Sequence, residues 1–240
     1  MMGSSAKVAF AALSMLAAIS PAHADTPSAA DWNKWSQAAV DAARHEVTLW
    51  AATARIDPAR CKVNAVMAMG TQGVLKSGYQ FGGVIRDKLL SLKAPAPVAA
   101  AWSQAFNEAW RTWESNVTIP NLPWYPAFAA FPGPQAPPTP NVPTPLDKLS
   151  SSGRSAMKEA GLTQSITNRL GGHGQSSAAK NAVKAFASDM SKRFSVFLGQ
   201  ALIMNVLGSG PVPSFKPPQA PAGAVVNGSC IGGQLSKKSL

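Results

Sequence analysis

The chain has 240 residues, 46% of them hydrophobic and 14% charged, and 22 Lys and Arg against 11 Asp and Glu leave a formal charge of +11. An apolar share of that size permits a packed core, and the length suits one ordinary domain or two small ones. The basic excess favours polyanionic partners such as acidic lipid headgroups or envelope polymers, while 3 His and 2 Cys at no ligand-like spacing offer no recognisable metal centre.

The N-terminus has the layout of an export signal. Lys7 precedes an apolar run, Val8 to Ile19, which Ser20-Pro21 breaks, and Ala22-His23-Ala24 forms a small-x-small cleavage site before Asp25. The run is too short to span a bilayer as a helix, and no Cys follows it closely as a lipid anchor would require. Residues 1–24 are therefore predicted to be a signal peptide, and the remainder periplasmic or extracellular. Cys61 and Cys230 are the only cysteines. Export favours a disulfide between them, with free or intermolecular thiols as the alternative.

Residues 25–93 read as an N-terminal helical region. Ser28 and Asp31 have the spacing of a capping box. After it Trp32, Trp35, Ala39, Ala43, Val47 and Trp50 recur at helical spacing and predict a helix over 30–53 that Asp57-Pro58 ends. From Arg60 to Lys93 the apolar residues are interrupted by five glycines. A hairpin turning at Ser77-Gly78 competes here with a helix, and the helix is the expectation. Residues 94–145 open with the Pro-Ala-Pro linker, continue in a helix over 98–117, and end in a stretch from Pro120 to Pro145 with ten prolines. That density excludes helix and central strand and predicts an irregular arm. Residues 146–228 hold a helix to Leu170 broken by Gly153 and Gly161, then a long helix from Ser176 to Leu207, and a second Pro-rich arm. No charge occurs from Phe194 to Leu207, so the apolar face of that helix widens there. That half-helix suits a core, a partner or a bilayer. Residues 229–240 are a polar tail.

Two of these segments match at an offset of 84. The motif Phe131-Pro-Gly-Pro-Gln-Ala-Pro137 returns as Phe215-Lys-Pro-Pro-Gln-Ala-Pro221. Trp102, Phe106, Trp110 and Trp113 fall on Phe186, Met190, Phe194 and Phe197, and Asn121 falls on Asn205. A shared apolar stripe in register requires the same helix face in both segments and points to an internal duplication.

Catalytic patterns are weak. His45-Glu46 is adjacent on a helix, so the two side chains diverge, and His173 sits in a Gly-rich turn. Ser155 with Lys158, and Ser177 with Lys180, have Ser-x-x-Lys spacing, and Lys76-Ser77-Gly78 is like the Lys-Thr-Gly element that accompanies it elsewhere. The order along the chain is wrong for that chemistry. Glu108 and Glu114 fall on different faces of one helix, which does not suit a glycosidase pair. No catalytic residue, cofactor or metal is assigned, and export argues against nucleic acid.

The expected fold is mainly α, with amphipathic helices packed on aromatic faces and two long Pro-rich irregular arms. The expected function is that of an exported, non-enzymatic structural or assembly protein of the bacterial envelope. Self-association would be anchored by Phe131, Pro137, Phe215 and Pro221. The alternative is a basic protein that binds anionic membranes or envelope polyanions, with pore formation as one form of it.

Overall fold

A computed structural model describes residues 26–218, 221–236 and 240. The predicted signal peptide lies outside them. The chain begins with α1 (Ala29–Thr53). Its capping box is complete: Ser28 N–H donates to Asp31 Oδ2 at 3.0 Å and Asp31 N–H to Ser28 Oγ at 3.2 Å. The hydrogen bond from the Ser28 hydroxyl, with that from its N–H, holds the Asp31 carboxyl below its ordinary range.

The expectation of a mainly α chain is overturned here. Among the described residues about 52% are helical and about 24% are strand, in a mixed α/β fold. After a short β1 (Arg55–Ile56), where the expectation between Arg60 and Lys93 is a helix, the chain instead forms β2 (Cys61–Asn64), β3 (Met67–Gly70) and β4 (Leu75–Lys76), and only then α2 (Gly83–Ser91). The reason is the period. Burial alternates strictly along β2 and β3, which a helix cannot satisfy.

Next come α3 (Ala96–Ser115), β5 (Val117–Pro123), β6 (Gln135–Pro140), β7 (Thr144–Pro145) and β8 (Ser150–Ser151). The first arm is thus not wholly irregular. Its Ala-Pro-Pro-Thr stretch is a strand with a register shift between Ala136 and Thr139, and such a bulge at a sheet margin accommodates prolines that donate no N–H. The predicted helix over 146–170 is one only in its second half, α4 (Glu159–Leu170); 3-10 turns precede it. One of these turns holds Gly153 so close to α3 that a Cβ would stand 2.1 Å from the Thr112 carbonyl oxygen.

The long helix α5 (Ser177–Gln200) stops at Ala201, and the chain passes directly into β9 (Leu202–Pro211); β10 (Gly228–Leu235) closes the chain. The uncharged run that read as a widening helix face is a helix–strand junction. Ile203 and Val206 point inward while Leu202, Met204 and Leu207 are half-buried on the other side, so both faces of the strand are apolar.

The main sheet runs β6-β9-β10-β2-β3-β5-β8, with β7 also on β9. Its ends meet. Trp124 at the end of β5 bridges Asn141 just after β6, and Val142 N–H donates to Pro123 O at 3.0 Å. On its other edge Trp124 N–H reaches Val66 O beside β3 at 2.7 Å. The pairing therefore returns to β9 through residues 135–145 and closes a small antiparallel barrel, which removes most free edges. Cys61 and Cys230 are disulfide-bonded between adjacent strands β2 and β10, with Cα atoms 5.6 Å apart. The bond fits an oxidising compartment.

The helices pack as a layer on aromatic side chains. Trp102 stacks on Phe186 at 5.7 Å, Trp110 meets Trp50 edge-on at 5.0 Å and Phe194 at 5.8 Å, and Trp113 meets Phe194 at 5.2 Å. The predicted stripe of Trp102, Phe106, Trp110 and Trp113 is fully interior. Helical layer and barrel share one continuous apolar core.

Candidate functional site: a charged cleft between helices and barrel

A cleft of about 520 Å³ opens where α3 meets the β1–β4 ribbon. Asp57, Arg60, Lys76, Arg111 and Glu114 line it, together with backbone at Gln72 and Gly73. Each charged residue is placed by a local rule. Asp57 caps the Pro58–Arg60 turn by accepting from Ala59 N–H at 3.1 Å. Lys76 stands on β4, paired with β1. Arg111 and Glu114 lie three residues apart on α3, so both reach the same side of the helix.

The charges are unequally engaged. Lys76 Nζ donates to Asp57 Oδ2 at 2.8 Å, and Arg60 Nε lies 3.6 Å from the same oxygen. The Lys76 hydrogen bond holds the Asp57 carboxyl below its ordinary range. Glu114 is shifted the opposite way, because burial raises it against the hydrogen bonds it accepts. Its Oε1 accepts from Trp50 Nε1 and from Ser77 N–H, each at 2.8 Å. Arg111 makes no hydrogen bond and no ion pair among the described residues.

A second buried carboxyl lies nearby in the fold. Glu46 is fully buried, its Oε1 accepts from Gly82 N–H at 2.8 Å and Val84 N–H at 3.0 Å, and its Oε2 has no partner. Burial raises its pKa as well. Glu46 and Glu114 thus hold the two ends of the Gly-rich segment 77–84 that leads into α2.

Of the residues weighed from sequence, Lys76 and Glu114 line this cleft and Ser77 donates to Glu114, while the others fall elsewhere. His173 is exposed in a 3-10 turn, and Glu108 faces solvent and pairs with Arg169 rather than with Glu114. Phe131 and Phe215 are half-buried; Phe131 exchanges backbone hydrogen bonds with Gly223, and Val212 N–H donates to Pro134 O at 2.9 Å, so the two arms lie against one another in one chain. Pro137 and Pro221 are exposed. Among the described residues no three His, Cys, Asp or Glu side chains gather as a metal site. The placement of Asp57 and Glu114 in one cleft is not legible in the sequence, because β4 lies in the segment from Arg60 to Lys93 where a helix is the expectation. Asp57 before Pro58 signalled only a helix end.

No family model, no curated protein and no solved structure matches this chain.

Proposed function

We propose that this chain is an exported, non-enzymatic binding protein for acidic envelope polymers, seating one carboxylate or phosphate group of the polymer in the cleft. The observation that supports this reading is Arg111. Its guanidinium, whose charge also acts on Glu114, makes no hydrogen bond or ion pair among the described residues at the wall of a concave site that also holds Arg60 and Lys76, and a planar donor fork of this kind matches carboxylate and phosphate oxygens. The formal charge of +11 raises the encounter rate with any such polymer.

Titration calorimetry with a polyuronate and with polyphosphate tests the reading. Binding should weaken as salt rises, and Arg111→Ala should lower affinity by about tenfold. Absence of heat with both polymers at low salt rules the reading out. Inorganic phosphate and acetate as monomeric probes separate a single-group site from a polymer surface.

Self-assembly through Phe131, Pro137, Phe215 and Pro221 is a second proposal, supported by the exposed prolines of both arms. Light scattering over a concentration series should then show mass above that of one chain; a monomer throughout sinks it.

A further inference from the structure

We propose that the outer face of the barrel, where β3, β2 and β10 lie side by side, docks on an anionic lipid bilayer. The inference is independent of the cleft and of what the cleft binds.

Large apolar side chains are concentrated on this face. Met69 is 62% exposed, Ile231 51%, Tyr125 50%, Met67 46% and Val226 41%. These are five of the eight large hydrophobic residues left exposed among the described residues. The strand register brings them together. Met67 and Met69 project outward from β3, opposite Asn64 and Lys62 on β2. Lys62 is flanked on its other side by Ser229 of β10, and Ile231 follows two residues along on the same outward side. Met67 lies opposite Pro123 of β5, two residues before Tyr125. Val226 joins them at the hairpin end, where Asn227 N–H donates to Asn64 Oδ1 at 2.7 Å. Inward neighbours Cys61, Val63, Ala68 and Cys230 are all buried, so the core is complete without the outward residues.

Charge selects the partner. No Asp or Glu occurs from Pro58 to Arg86, from Ser115 to Leu146, or from Met190 to Leu240, and none occurs in any strand. The nearest carboxylate in the chain, Asp57, is already engaged by Lys76 and Arg60. An apolar face with a lysine at its centre, built from stretches that carry no acid, matches an anionic headgroup layer over acyl chains. Tyr125, with an apolar ring and a polar tip, suits the same depth. A second copy fits less well. A two-fold pairing sets the face against itself, so both copies of Lys62 are buried in one interface built from stretches that carry no carboxylate. No helix among the described residues is long and apolar enough to cross a membrane.

Vesicle flotation tests the proposal, using phosphatidylglycerol mixed with phosphatidylcholine and phosphatidylcholine alone. The protein should float with the anionic vesicles, less so as salt rises, and not with the neutral ones. The pair Met67→Asp and Met69→Asp should weaken binding by at least about tenfold, and Lys62→Gln by about fivefold. Near-ultraviolet circular dichroism checks that these variants stay folded; should the pair unfold the barrel, Tyr125→Ser with Ile231→Ser takes its place. Arg111→Ala should leave flotation unchanged. The proposal falls if anionic vesicles do not bind, or if folded face variants bind as well as the parent. It also falls if Arg111→Ala alone abolishes binding, or if the face proves to bury a dimer that Met69→Asp dissolves.

Discussion

Residues 98–124 and 182–208 follow the same course through the molecule. In each, a helix with an aromatic stripe turns straight into a strand of the barrel. Val98, Trp102, Phe106, Trp110 and Trp113 are buried, as are their counterparts Ala182, Phe186, Met190, Phe194 and Phe197. The strands repeat the correspondence: Ile119 and Leu122 are interior, as are Ile203 and Val206, and Asn121 and Asn205 both face solvent. The segments then differ where they meet. Trp124 corresponds to Gly208, and the Trp124 ring occupies the space in which a Gly208 side chain would stand, with a Cβ 2.9 Å from Trp124 Cε2. Matched positions are therefore not interchangeable. A bulky residue on one segment requires nothing on the other, because both contribute to one packed volume.

The largest test of that comparison is at the stripe. Trp110→Ala and Phe194→Ala should each cost about 3–5 kcal/mol. Their rings are in edge-on contact, so the double variant should cost less than the sum. Denaturant unfolding measures this, and strict additivity would show two segments packed separately. The next effect is at the asymmetric pair. Gly208→Val should cost about 1–3 kcal/mol by overpacking against Trp124, and Trp124→Leu in the same chain should recover part of it; a melting temperature unchanged by Gly208→Val would remove the steric argument.

A smaller effect separates the two asparagines. Asn205 has φ 57° and Asn121 does not. Asn205→Val should therefore cost about 1–2 kcal/mol, and Asn121→Val should stay within about 0.5 kcal/mol. Equal melting temperatures for the two variants would contradict this. The smallest effect is one of pH, at Glu114, whose counterpart is Leu198. Burial raises the Glu114 carboxyl in the folded state. Its stabilising contribution is thus full below the ordinary carboxylate range and is lost as pH rises through the folded value. Glu114→Gln keeps the acceptor for Trp50 and Ser77 and should flatten stability against pH over that window. An unaltered pH profile would show Glu114 to be solvated.

Several parts of this fold were legible before any coordinates. The α1 capping box, the α3 span and the aromatic stripes follow from residues three and four apart, which local helical geometry places on one face. The pairing of Cys61 with Cys230 followed from count and compartment. The barrel was not legible. Its strands β2 and β3 are four residues each, too short for alternation to outweigh the glycines around them. The prolines at 137 and 138 argued against a strand that a bulge nevertheless admits. The cleft was hidden for the same reason, since Asp57 and Lys76 approach Glu114 only once β1 and β4 pair.

The acid-free stretches are written in the sequence itself, and so is the excess of base. Sequence alone determined which residues are apolar, which helices have a dry side, and which stretches carry no carboxylate. Tertiary structure alone decided that Met67, Met69 and Ile231 share one outward face, and that Arg111 and Lys76 line one cleft. The reason is range. Helical faces are set by neighbours within one turn, whereas strand partners here come from residues as far apart as Cys61 and Cys230, and only closure of the barrel brings them together.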